Sequence, residues 1–143
     1  MSPLGKREVN PGGELAPSPF VGPVDHTEQI LLDVSTFDTE EVDADGYIKA
    51  GTPVQLTGAV GTGPVKGALV TNADQQAGVV FEGIKIAASN APAVLAAAPN
   101  VEVAVAHMCA INRHRVEDIL GRALSAAELS ALNRGNVRVI SAT

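Results

Sequence analysis

Three residues in the last third of the chain, His107, Cys109 and His114, are of the types that do nucleophilic or metal chemistry. A Cys–His nucleophile needs the imidazole within hydrogen-bond reach of the sulfur. His107 and Cys109 lie two apart in an alternating apolar run over 101–111, so on one continuous strand they face the same side. Neither a residue that would orient the imidazole nor an oxyanion loop accompanies them. Cys109, the single cysteine, therefore reads as a small buried hydrophobe. The histidines form no His-Glu-x-x-His pattern and one cysteine makes a poor zinc set, so no metal site is expected. Ser, His and Asp occur without a nucleophile elbow.

Two loops carry weaker signals. The glycine-rich stretch 58–67 invites a phosphate-cradle reading, but a P-loop needs Gly-Lys followed by Ser or Thr at a helix start. Here Lys66 lies between Val65 and Gly67 with a strand pattern after it, and it stands where a dinucleotide fingerprint needs its third glycine. A hairpin loop is expected, with no cofactor. The stretch 41–46 (EVDADG) opens like a calcium loop, but its twelfth position falls on Thr52 instead of a bidentate Glu, and no helices flank it. An Asp-Gly turn is the better reading. No catalytic constellation emerges.

The elements that would position any site are mostly strands. A short strand is expected at 30–32, a tight turn at Asp45-Gly46 and strands at 47–49, 51–56 and 66–71. A longer strand over 78–87 is expected with Val79, Phe81, Ile84 and Ile86 inward and a bulge at Gly83. Residues 89–99 are alanine-rich between Pro92 and Pro99. The run 101–111 places Val101, Val103 and Val105 on one face. The period then changes. A helix over 113–120 is capped by Asn112 and stopped by Gly121. A second helix over 126–134 begins at the capping box Ser125-Ala126-Ala127-Glu128, with Leu124 and Leu129 as its hydrophobic staple, and stops at Gly135. A final strand covers 137–140. The fold class is mainly β with minor α: a small β-rich barrel or sandwich-like domain over 26–143 with two short C-terminal helices. An extended N-terminal arm over 1–25 holds five of the nine prolines.

Composition bounds the function. The chain has 143 residues, a net charge of −6 and a pI near 4.9. That argues against a nucleic-acid partner, which needs a basic face. One cysteine permits no intrachain disulfide framework. No apolar run of about 18 residues spans a membrane, and Pro and Gly interrupt any secretory core near the start; a soluble protein made in the cytoplasm is expected. Residues 25–45 carry eight carboxylates and no Lys or Arg, either a solvated acidic edge or a docking surface for a basic partner. The last 31 residues carry five arginines against three acids.

The order of phrases is familiar. A Gly/Pro arm leads into DADGYIKAGTPVQL, then GPVKGALVTNAD, AGVVFEGIKI and VEVAVAHMCAIN, and the chain closes through short helices on NVRVI. Over roughly 40–143 this resembles the lambda-like head decoration (capsid-stabilising) proteins of tailed bacteriophages. The resemblance implies a structural virion protein on the capsid exterior, homotrimeric at local three-fold axes, bridging major capsid protein subunits without cofactor or active site. Its arm would add a strand to a capsid loop. Leu15, Pro17, Phe20, Val21 and Val24 are the residues expected to touch the capsid. The sequence departs from the lambda form in its longer acidic stretch and its helix pair. Two other readings are a β-barrel binding module of a tail or fibre accessory protein and a small hydrolase using Cys109 and a histidine.

Overall fold

Val101, Val103 and Val105 alternate with Glu102, Ala104 and Ala106, and that period of two builds the longest ladder of the protein. In a computed structural model, which describes residues 5–6, 18–57 and 65–141, strand β7 (Val101–His107) lies antiparallel to β2 (His26–Leu32) along seven pairs, from His26 opposite His107 to Leu32 opposite Val101. The other strands are β1 (Gly5–Lys6), β3 (Pro53–Thr57), β4 (Lys66–Leu69), β5 (Ala77–Val80), β6 (Gly83–Ile84), β8 (Cys109–Asn112) and β9 (Val137–Ile140). The helices among the described residues are α1 (Pro92–Ala97), α2 (Arg113–Leu120) and α3 (Ala126–Arg134), with a 3-10 turn at Val34–Thr36. The fold is mainly β with a closed barrel. Its strands run β2-β4-β3-β5-β7 and return to β2; β2–β4 is the parallel pair, and the other four are antiparallel.

Five strands enclose little volume, so the barrel is filled by Ile30, Leu32, Val54, Val80, Val103 and Val105, each fully buried. Gly67 faces the same interior, where a Cβ would run into Ile30 Cδ1. Phe37, Val42, Ile48, Ile86 and Leu95 continue this cluster below the barrel. The opposite faces of β5 and β7 belong to a second cluster. Ala77, Val79 and Ala106 pack there with Ile111, Val116, Leu120, Leu124, Ala131, Leu132 and Val137. With both faces covered, β5 reads as an uninterrupted buried run, AGVV.

The second layer is held by a parallel β8–β9 pair. A parallel pair needs a long crossover, and α2 and α3 supply it. Their ends follow local chemistry. The Asn112 side chain accepts from Arg115 N–H, and Gly121 closes α2 at φ +75°. The Ser125 hydroxyl accepts from Glu128 N–H at 3.1 Å while the Glu128 carboxylate accepts from Ser125 N–H at 2.9 Å; α3 spans Ala126–Arg134 as expected.

Several expectations change. The strand at 30–32 is seven residues long, because pairing with β7 supplies partners back to His26. The run 78–87 divides into β5 and β6, and Phe81, expected inward, is 40% exposed with its ring against Phe20, centroids 5.6 Å apart. The run 101–111 breaks at Met108, whose φ of +50° turns the chain from the barrel into the second sheet. Residues 92–97 form a helix. Pro92 occupies its first turn, where no N–H is needed, and Leu95 is buried against the barrel cluster. The hairpin loop expected over 58–64 lies outside the described residues.

Candidate functional site

The leader meets the body along β8. Phe20 pairs across to Ile111. Val21 N–H donates to the Ala110 carbonyl at 2.9 Å, and Asn112 N–H donates to the Pro19 carbonyl at 2.8 Å. Arg115 donates to the Ser18 carbonyl at 3.2 Å. Pro19 is buried close to Gly51, whose φ is +88° and whose position leaves no comfortable room for a Cβ between Pro19 and Val116. This foot fixes where the leader departs. Of the five residues expected to touch a partner, Leu15 and Pro17 lie outside the described residues. Phe20 and Val24 are half-buried against the second cluster, and Val21 is 38% exposed. Phe81 and the 62% exposed Met108 are further large apolar side chains turned outward. Strand alternation stops predicting the side of Phe81 where β5 ends at Val80, and its ring meets Phe20 instead.

Upstream, Gly5–Lys6 pairs antiparallel with Gly83–Ile84. These two short strands form a separate two-stranded sheet outside the closed barrel.

The acidic segment is largely occupied by local partners. Asp33 caps the 3-10 turn, accepting from Ser35 N–H and Ser35 Oγ–H. Asp43 accepts from Asp45 N–H and Tyr47 N–H in the turn. Arg122, in the α2–α3 connection, gathers Glu40 at 2.8 Å, Glu41 at 3.2 Å and Glu128 at 2.7 Å. Glu41 and Glu128 are buried, at 2% and 3% exposure. The hydrogen bond to Glu128, working against burial, raises the Arg122 pKa further, with Glu41 adding to it. The segment is therefore a seam between barrel and helices.

Beside it, Glu117 accepts from Leu124 N–H at 2.7 Å and from Arg113 Nε–H at 3.1 Å. The Leu124 N–H, opposed by burial and seconded by Arg113, holds this carboxyl below its ordinary 4.5. A carboxyl whose folded pKa lies below its unfolded value stabilises fully above the unfolded value and loses that contribution as pH falls through the folded one. Urea unfolding between about pH 2 and 5 is expected to show a steeper acid loss for the native sequence than for Glu117→Gln. Parallel curves would remove the carboxylate from the acid response.

His107 and Cys109 do not share a face. His107 stands over Gly78 next to Val105 at one end of the barrel, whereas Cys109, beyond the Met108 turn, lies in the second cluster. Burial pushes the Cys109 thiol up, which disfavours the thiolate that a nucleophile requires. At the barrel end, His107 Nε2 lies 2.8 Å from Glu28 Oε1, and the His26 ring centroid lies 6.0 Å from that of His107. No helix among the described residues is long and apolar enough to cross a membrane.

No family model, no curated protein and no solved structure matches the chain, so its function is argued from these residues and their geometry.

Proposed function

We propose that this protein is a structural subunit of a tailed-phage head, a decoration protein that grips the outside of the expanded capsid and bridges major capsid protein subunits as a homotrimer. The observation behind the reading is that Gly5–Lys6 pairs through its backbone as a strand, here with Gly83–Ile84 of the same chain; on a head the same backbone would pair with a capsid loop instead. Strand addition of this kind grips a partner through main-chain hydrogen bonds and leaves specificity to alternate side chains. The body suits a rigid plug, since the barrel closes on itself and its five strands offer no edge. The foot on β8 holds the leader's origin, and Val21 and Phe81 lie beside it as apolar surface. An arm that orders on a groove formed only by the mature lattice would restrict binding to expanded heads, because its ordering cost is offset only there.

The test is co-sedimentation with expanded tailed-phage heads stripped of their decoration layer, using the full chain and a chain lacking residues 1–17. The full chain is expected to pellet with expanded heads and not with unexpanded shells, and the truncated chain to stay in the supernatant. Equal binding to both shells, or undiminished binding without the leader, would overturn the proposal.

A further inference from the structure

We propose that the His26–Glu28–His107 end of the barrel binds a divalent transition-metal ion of the zinc class. The inference is independent of the capsid reading. It begins with the β2–β7 register. His26 lies directly opposite His107, and Glu28 opposite Val105. Residues two apart on a strand share a face, and directly opposed residues share it too. Two imidazoles and one carboxylate, drawn from distant parts of the sequence, therefore project from one face at one end of the barrel.

The state of His107 points to a ligand. The residue is 9% exposed, and its Nε2 is sealed from solvent without any directed hydrogen bond. Glu28 Oε1 lies 2.8 Å from that nitrogen. A buried ring nitrogen and a carboxylate oxygen this close are a donor pair that one ion can bridge. Donors about 2.1 Å from one metal sit about 3.0–3.4 Å apart between octahedral and tetrahedral angles. The pair needs to open by only a few tenths of an ångström. The ring is also held from the β5 side: a Cβ on Gly78 would come within 2.8 Å of His107 Cε1.

No three ligand-type side chains among the described residues already converge on one point. The third must come by rotation. His26 is exposed and its ring centroid is 6.0 Å from that of His107, so a change of its side-chain rotamer is the movement the site requires. Two imidazoles with a carboxylate suit Zn2+, Fe2+ or Ni2+ over Ca2+ or Mg2+, which prefer oxygen alone. With Glu28 half-exposed, the remaining coordination positions open to water.

The experiment titrates the purified full chain with ZnCl2 by calorimetry and with CoCl2 by visible absorption. One equivalent is expected to bind saturably in the micromolar range, with cobalt ligand-field bands. His26→Ala and Glu28→Gln, at positions open enough to keep the fold by circular dichroism, are each expected to weaken binding at least about tenfold. His114→Ala, on the exposed face of α2, is expected to bind as the native chain does. His107→Gln is expected to abolish binding, and should it fail to fold, the first two variants still decide. No saturable uptake at millimolar metal, uptake undiminished in His26→Ala and Glu28→Gln, or uptake lost in His114→Ala would each overturn the proposal.

Discussion

Replacing Arg122 with Ala is expected to lower the unfolding free energy by about 3–5 kcal/mol, the cost of stranding buried charge. That is a large part of the roughly 5–15 kcal/mol that holds a typical domain together. The magnitude follows from what is left behind. Glu41 and Glu128 are nearly inaccessible to water, and each loses its guanidinium partner. Glu128 also has a second duty, because its Oε1 accepts the Ser125 N–H that completes the capping box. Loss of Arg122 therefore frees the start of α3 as well as the seam to the barrel. Glu40, whose side chain is 49% exposed, contributes little, as exposed pairs do. Arg122→Lys is expected to recover only part of the loss, since one ammonium cannot serve both oxygens of Glu128 and also reach Glu41. Adding Glu128→Gln to Arg122→Ala is expected to restore some stability by removing one uncompensated charge. Urea denaturation midpoints, at constant slope, give all three values. A loss below about 1 kcal/mol for Arg122→Ala would mean that water already screens the cluster as it does a surface pair.

The same cluster marks how far the sequence can be read. The ends of α2 and α3 were legible because caps are local: Asn112 reaches three residues along, and Ser125 and Glu128 answer each other within one turn. The alternation of Val101, Val103 and Val105 was legible for the same reason, as was the mainly β class that follows from many short strands, whereas barrel closure depends on strand pairing that local pattern does not show. What Arg122 binds was not. Its partners Glu40 and Glu41 lie at the far side of the barrel sequence and meet it only after the helices dock. The His26–Glu28–His107 grouping is hidden in the same way, since it exists only in the register that β2 and β7 adopt. Phe81 and Met108 show the converse. Periodicity extends a strand until something stops it, and here the stops are a left-handed residue at Met108 and the docking of Phe20 on Phe81. Pro92 hid α1 because a proline that starts a helix and one that ends it look alike in a short alanine-rich stretch.

Gly46 separates conformation from contact, and a matched pair of substitutions can measure each. The Asp45-Gly46 turn was expected from the dipeptide, and the glycine indeed sits at φ +85°. Gly121 sits at φ +75° at the end of α2. Any residue with a Cβ costs about 1–2 kcal/mol in this left-handed region. At Gly121 nothing lies within 4 Å of an added Cβ, whereas at Gly46 the Cβ would run into the Ala87 carbonyl. Moving that carbonyl is costly, because the Gly46 carbonyl accepts from both Ile86 N–H at 2.8 Å and Ala87 N–H at 3.2 Å. The turn and the 86–87 segment are thus locked to each other, and Ile86 is part of the barrel cluster. Gly121→Ala is expected to cost only the conformational part, about 1–2 kcal/mol. Gly46→Ala is expected to cost about 1–3 kcal/mol more, the usual penalty of forcing a group into packed structure. The unfolded chain loses the same freedom in both variants, so the difference between their urea midpoints isolates the contact. Equal losses would mean that the 86–87 segment yields without cost, and the turn would then need its glycine for backbone angle alone.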